Sequence, residues 1–504
     1  MNRSNFRSCL LKSFEPEIII GPPGTGKTTY LLSEVERSIA TGTSPESIGY
    51  VAFTKKAATE AIERASEKFG LSEKNMPYFR TLHSLAFRML GVTRSQVLNK
   101  DSLKEFGQLM GLSFTGVVNI SEGTAYGSTE GDRAMFIAAL ARIRCMDLKD
   151  QWNENNEDVG WWAVERVARG LKEFKESNGL IDFTDMLERY VDDGYAPELD
   201  LLVVDEAQDL SQLQWRMVIR LAERAKRVIV AGDDDQAIFR WAGADVPYFI
   251  ALKGPTTVLE KSYRVPQPVQ DWAAGIISGV PVRRPKTWTA REGDGEVSFH
   301  ASCDTVDMSE GSWLVLARNL YLLDDAEEQC RREGFYYAKG LRRSVSEKTL
   351  RTIRAWERLR KGEQVSDKEA RDILAVVSHE RKGLPKDGYF SMSDLVDNWA
   401  VIDKGIWHES FDKMALVERA YLIAMLRRGE KITKHPRIGL STIHGAKGGE
   451  ADNVVLYTDM ARRSYMEMVR RPEDEHRVFY VGATRTRTNL HVVMPRSKYY
   501  FATL

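Results

Sequence analysis

The chain has 504 residues, of which 43% are hydrophobic, 29% charged and 10% aromatic, enough apolar mass for several cores and too long for one domain. Lysine plus arginine and aspartate plus glutamate balance at 72 each, so bulk charge gives no support for a polyanion partner; any nucleic-acid reading must rest on local residues. Four cysteines (Cys9, Cys145, Cys303, Cys330) stand far apart without a CxxC pair. That argues against a zinc or iron–sulfur site and a disulfide framework, and suits a reducing cytoplasm, bacterial or, for a viral chain, that of its host. The N-terminal stretch lacks the continuous apolar core of a signal peptide, and no window approaches ~18 uninterrupted apolar residues, so no membrane association is expected.

Short apolar, β-branched runs recur along the chain, each closed by turn residues: Glu17–Ile20, Ile48–Phe53, Leu201–Val204 and Val228–Ala231. Amphipathic stretches such as Thr28–Ile39 and Lys55–Phe69 lie between them, and strands alternating with helices predict a parallel α/β sheet. A second set runs through Thr257–Leu259, Trp313–Ala317, Ile438–Ile443, Asn453–Tyr457 and Leu490–Met494, which makes two α/β domains in series. Two segments break the alternation and read as helical insertions. One spans about Gly91 to Gly170, with the amphipathic piece "DRAMFIAALARIRCMDL"; the other spans about Arg342 to Lys434, with "KTLRTIRAWERLRKGEQ".

"EIIIGPPGTGKTTYLL" is strand, glycine-rich turn and helix, and Gly21–Thr28 fit GxxxxGK[ST]. Gly24 and Gly26 allow backbone N–H groups to close around phosphate oxygens, and the helix N-terminus adds the positive end of its dipole. In such a loop, formed here by Gly21, Pro22, Pro23, Gly24, Thr25, Gly26, Lys27, Thr28 and Thr29, Lys27 would sit on the β/γ-phosphates and Thr28 would ligate Mg²⁺. "LDLLVVDEAQDL" supplies the partner. Its strand ends at Asp205, placed to hold Mg²⁺ directly or through water, with Glu206 as the base that orients an attacking water. Two solvated acids at a strand end are the bland alternative, and a P-loop kinase would share both motifs.

The stretch "GDDDQAIFRWAGAD" resembles motif III of the UvrD/Rep family of superfamily 1A helicases. Further segments follow in family order: "VAFTKKAATEAIERA" resembles motif Ia, "RTLHSLAFRML" motif Ib, and "GLIDFTDML" the element before Walker B. "LEKSYRVP" resembles motif IV, "LSTIHGAKGGEADNVVL" motif V and "EHRVFYVGATRTRTNL" motif VI.

The resemblance implies two RecA-like parallel-sheet P-loop domains with two mainly helical insertions. Residues 1–90 and 170–250 would form domain 1A, 91–169 insertion 1B, 251–341 and 431–504 domain 2A, and 342–430 a reduced 2B-like insertion. It also implies an ATP site shared by the two domains. There Gln236 would sense the γ-phosphate and catalytic water, Tyr263 would stack on adenine, Arg264 would reach the γ-phosphate, Glu450 would contact the ribose, and Arg485 would act as arginine finger. A track for single-stranded DNA is implied over Phe53, Thr54, Thr81, His83, Phe239, Trp241 and His444. In an extended segment Phe239 and Trp241 would project to one face, and each base stacked on an aromatic contributes roughly 1–3 kcal/mol without regard to its identity. In this family the three aspartates Asp233–Asp235 support the shape of the loop rather than a second metal.

The activity implied is an ATP-dependent, Mg²⁺-requiring motor that moves 3′ to 5′ on single-stranded DNA and opens duplexes at junctions, with replication, repair or defence proteins as partners. Its rivals are a translocase subunit that unwinds poorly alone and a nucleotide-gated nucleic-acid-binding protein. Four features depart from the family: residues 1–16 hold no glutamine to read adenine, the loop is spelled "GPPGTGKT", Ala242 stands where an arginine is common, and the second insertion is short. With the sequence ending soon after motif VI, no C-terminal nuclease or partner-binding tail is expected.

Overall fold

The structure, a computed structural model, describes residues 14–53, 55–115, 129–155, 159–380, 383, 385–431 and 435–502. Its first sheet is built from β1 (Glu17–Ile20), β2 (Ile48–Ala52), β3 (Tyr78–Thr81), β4 (Leu199–Asp205), β5 (Ala225–Gly232) and β6 (Thr256–Val258), ordered β3-β2-β4-β5-β1-β6. Every pairing in it is parallel. Both faces are covered, which is why the strands read as unbroken apolar runs. On β1, Ile18 and Ile20 enter one core with Leu202, Val204 and Val230. Ile19 enters the other with Tyr50, Val203 and Ile229.

The run at Thr257 was expected among the second set of strands. It is instead the outer part of β6, whose Thr256, Thr257 and Val258 pair with Ile18, Ile19 and Ile20 of β1. A three-residue edge strand carries too little pattern to declare its sheet; only the hydrogen-bonding neighbour does.

A short parallel ribbon, β7 (Lys261–Pro266) with β8 (Thr289–Arg291), leads into the second sheet. That sheet comprises β9 (Glu296–His300), β10 (Trp313–Ala317), β11 (Tyr337–Lys339), β12 (Arg342–Arg343), β15 (Ile438–Thr442), β16 (Ala451–Tyr457) and β17 (Thr486–Val493), in the order β12-β11-β15-β10-β16-β17-β9. Between β12 and β15 the chain forms a two-stranded ribbon, β13 (Val365–Ser366) with β14 (Tyr389–Phe390), among helices. All pairings in the second sheet are parallel except β11 with β12.

Two helical segments interrupt the sheets. The first contains helices Lys100–Met110, Glu130–Ile143, Leu148–Glu154 and Trp161–Asn178 around a core of its own that includes Phe106, Ile137, Val164, Val167 and Phe174. The piece expected to be amphipathic, now Glu130–Ile143, buries Ala134, Ile137, Ala138, Leu140 and Ala141 on more than one face. Neighbouring helices flank it on several sides, Trp161–Asn178 and Leu148–Glu154 most extensively. An ion network ties this segment to the first sheet: Arg142 contacts Asp182 (3.0 Å), Asp185 (2.5 Å) and Glu188 (2.5 Å), and Lys175 contacts Asp182 (2.5 Å) and Asp185 (2.6 Å).

Among the described residues, the second segment, with helices from Glu347–Arg360 to Leu416–Arg428, shows no separate core of this kind. Trp356, Phe411 and Tyr421 pack in one continuous cluster with Val315, Leu440 and Val455 of the second sheet. Among the described residues no helix is long and apolar enough to cross a membrane.

Candidate nucleotide and nucleic-acid site

Parallel pairing brings the ends of β1, β2, β4 and β5 to one edge. Ala52 is level with Asp205, and Ile20 with Gly232, so the loops that begin at Gly21, Phe53, Glu206 and Asp233 emerge side by side. The phosphate loop turns through left-handed Gly24 (φ 73°) and Gly26 (φ 76°) into the helix Lys27–Ala40. Gly26, at the N-cap, has no side chain to bond the first-turn N–H groups, which suits an anion. A Cβ on Gly24 would lie 2.4 Å from Cβ of Arg264 and 2.8 Å from Oγ of Ser262, so only glycine admits so close an approach by β7. Two bonds fix that approach: the buried Ser262 hydroxyl donates to the Pro23 carbonyl (2.8 Å), and the Tyr263 N–H to the Gly24 carbonyl (2.8 Å).

Lys27 places its ammonium 3.0 Å from Asp205 and also on Glu206. Burial alone would lower its pKa, but the two carboxylates outweigh burial and raise it. Asp205 additionally accepts from the buried Tyr50 hydroxyl (2.8 Å). Glu206 has left-handed backbone (φ 54°), a conformation costing of order 1–3 kcal/mol in a non-glycine residue and typical of functional turns. Its own burial would raise its pKa, yet Lys27 and Lys447 hold it well below the usual carboxylate range. Thr28 and Asp205 line the same cleft and offer a hydroxyl and a carboxylate, the small all-oxygen protein share that Mg²⁺ takes; the residues fit that ion.

The second sheet closes the cleft, a cavity of about 1380 Å³. Arg485 is 2% exposed and donates to Gln236 Oε1 (2.8 Å) and the Val481 carbonyl (2.9 Å), while Gln236 donates to Asp233 (2.8 Å). Burial and the nearby Arg264 pull the Arg485 pKa below its ordinary value. Arg264 is paired with Glu450 at 2.5 Å, and Tyr263, 71% exposed, lines the cavity.

Of the sequence-predicted nucleotide residues, Gly21, Pro22, Gly24–Thr29, Asp205, Glu206, Gln236, Tyr263, Arg264, Glu450 and Arg485 line this cavity; Pro23 lies behind it, held by Ser262.

Residues predicted to touch DNA divide into two groups. Phe53, Phe239, Trp241 and His444 form one aromatic cluster: Phe239 is 5.5 Å from Phe53, 6.4 Å from Trp241 and 6.2 Å from His444. The expected extended segment is absent, because Asp234–Gln236 and Arg240–Ala242 are 3₁₀ turns with Phe239 between them. The two rings are brought near each other by the turns rather than by strand alternation. Trp241 and His444 line a second cavity of about 590 Å³, where the buried Trp241 Nε1–H and His444 Nδ1 have no hydrogen-bond partner among the described residues. His444 itself is 5% exposed, and burial and Arg318 drive its pKa far down.

Thr81 and His83 lie apart at the end of β3. Thr81 caps the helix Leu82–Met89, and His83 packs edge-on against Phe183, with burial lowering its pKa to about 4. Thr54 lies outside the described residues.

Several residues that sequence reasoning passed over complete the site. Lys447 crosses from the second sheet to contact Asp209, the Gln236 carbonyl (2.7 Å) and, at 4.0 Å, Glu206, and its ammonium lies 5.0 Å over the Phe239 ring. Gln208 links Glu206 (2.6 Å) to the N–H of Asp233 (3.1 Å). Asp233, Asp234 and Asp235 converge, but the buried Lys286 contacts all three, at 2.7, 2.5 and 3.2 Å, and Arg283 forks onto Asp235. Lys447 lay within a quoted motif. Its partners sit more than 200 residues earlier in the chain, so only the fold could reveal them.

A model of the UvrD/REP helicase N-terminal domain matches residues 2–256, and one of the UvrD-like helicase C-terminal domain matches residues 346–497. The chain belongs to the UvrD/Rep helicase family. The ATP-dependent DNA helicase PcrA of Staphylococcus epidermidis is 25% identical over 327 residues, covering 58% of this chain and 42% of PcrA. PcrA of Staphylococcus aureus is 24% identical over the same length and shares. The matched region thus spans about two fifths of these relatives. A solved arterivirus nonstructural protein 10 (helicase) aligns with 98% of this UvrD/Rep family chain and 63% of its own at 12% identity and a TM-score of 0.36, too loose a likeness to argue from.

Proposed function

We propose that the chain is an ATP-dependent DNA motor that travels 3′ to 5′ on single strands and opens duplexes at junctions. The observation that carries this is the short path from Gln236 to Trp241. Gln236 is bonded to Arg485 inside the nucleotide cleft, while Phe239 and Trp241, three and five residues on, belong to the aromatic cluster beside the second cavity. Phosphates arriving at Lys27 would draw its ammonium from Asp205 and Glu206. Relieved of that cation, Glu206 becomes more basic and can orient water. Arg264 and Arg485 would then neutralise the transferred phosphoryl charge, a role worth on the order of 10³–10⁵ in rate for an arginine finger. Mg²⁺, held by Thr28 and Asp205, would add charge neutralisation at the phosphates. Because Lys447 holds the Gln236 carbonyl and overlies Phe239, closure around nucleotide would move the stacking rings.

A second reading is a single-strand translocase, the motor of a repair, replication or defence assembly, with weak unwinding alone. The segment 342–430 favours it, since its core is continuous with the second sheet. ATP turnover and strand separation on 3′-tailed, 5′-tailed and blunt duplexes, with single-stranded RNA as control, test both. Turnover on single strands without separation selects the translocase. Preference for a 5′ tail overturns the polarity, and no DNA-dependent turnover overturns the motor.

A further inference from the structure

Glu450 sits at the cleft between two arginines. Its Oε2 accepts from Arg264 Nε (2.5 Å) and is ion-paired with Arg264 Nη2 at 2.5 Å; its Oε1 accepts from Arg487 Nε (3.2 Å) and Arg487 Nη2. Arg487 Nη1 lies 3.9 Å from Asp452, and Arg487 lines the same cavity as Lys27. The three groups come from separate elements: Arg264 from β7, Glu450 from the turn before β16, and Arg487 from β17.

One carboxylate thus divides its charge between two guanidiniums. To reach a phosphate, Arg264 must leave Oε2. With Arg487 in place, Glu450 holds Arg264 less strongly and stays paired after Arg264 departs. Without Arg487, the undivided carboxylate would retain Arg264, and its departure would strand a partly buried charge. We infer that Arg487 is a positioning residue for nucleotide binding, which keeps Glu450 occupied so that Arg264 is released to the triphosphate. The inference rests on the nucleotide reading of the cleft.

Binding of a fluorescent N-methylanthraniloyl-ATP and steady-state ATP turnover on oligo(dT), both with the full chain, test it. R487A raises Kd and KM about three- to fivefold, the scale of a partly exposed ion pair, with a smaller change in kcat. R487K restores most of the affinity. In an E450Q background, where no carboxylate competes for Arg264, R487A has no further effect. An unchanged Kd in R487A overturns the inference, as does the same loss in the E450Q background. Failure of R487K to rescue, with a lowered melting temperature, would make Arg487 a structural prop. If the folded wild-type chain does not bind the analogue, the nucleotide reading falls as well; if it binds and R487A matches it, only this inference falls.

Discussion

Replacing Lys447 with methionine keeps the side-chain stem and removes the one charge that crosses from the second sheet to both Asp209 and Glu206. Asp209 is 2% exposed; among the described residues its Oδ1 has no hydrogen-bond partner, and its Oδ2 takes Lys447 and a long bond from Gln208 Nε2 (3.4 Å), so the carboxylate leans chiefly on that ammonium. Burial pushes the Asp209 pKa up to about 6 against the pull of Lys447, with Glu206 adding to the rise. In K447M the pull of Lys447 is gone, so burial and Glu206 carry the Asp209 pKa still higher and the carboxyl escapes isolation by taking a proton. The lost bonds from a charged donor cost about 1.5–3 kcal/mol. Donor and acceptors belong to different sheets, so this penalty falls on closure of the cleft and not on the folding of either half. A fluorescence-transfer pair with one dye on each half should show the closed population reduced by about one to two orders of magnitude, with DNA-stimulated ATP turnover falling in parallel. Because the variant's buried Asp209 closes in its protonated form, the deficit should shrink as the pH falls from 7 to 6. A closed population unchanged in K447M, or a deficit independent of pH, would refute the reasoning.

Trp241→Ala should weaken single-stranded DNA binding by about 1–3 kcal/mol, roughly five- to 150-fold, and reduce DNA stimulation of ATP turnover more than basal turnover. Equal loss of both would make Trp241 a packing residue. Lys27→Ala should abolish DNA-stimulated hydrolysis, and retained turnover would sink the phosphate-loop assignment. Acid should destabilise the fold between pH 6.5 and 4. Burial holds His83 and His491 at about 4 and His444 well below its ordinary value, helped by His300 at His491 and Arg318 at His444. Their depressed native pKa values mean full stability above 6.5 and progressive loss below it. Asp209, raised to about 6, works in the opposite sense over part of that window. The net is about two protons, or about 2–3 kcal/mol per pH unit near pH 5, readable as the denaturant midpoint at pH 7 and pH 5; a flat profile would contradict it.

The sheets were legible because strands buried on both faces leave continuous apolar runs, and the phosphate loop because its glycines and Lys27 act within one turn of chain. Thr257–Leu259 went to the wrong set because the hydrogen-bond partner of its strand, β1, is more than 230 residues away. Phe239 and Trp241 were read correctly as neighbours for the wrong reason; two 3₁₀ turns bring them together, the first of them capped by the Asp233 carboxylate, which accepts from the Asp235 N–H at 3.2 Å. Ser262, Lys447 and Arg487 were silent because their meaning is wholly tertiary. A serine beside a tyrosine has no sequence signal for holding a proline carbonyl 239 residues earlier in the chain.

The unbroken core joining residues 342–430 to the second sheet bears on how this chain can be engineered. A segment that shares Trp356, Phe411 and Tyr421 with the strands beneath it is no detachable module. Excising it would lay bare the apolar underside of β10, β15 and β16, and grafting a different insertion there would require redesign of that buried seam. The first helical segment, with its own core and a polar ion-paired seam, is the place where exchange between relatives would be tolerated.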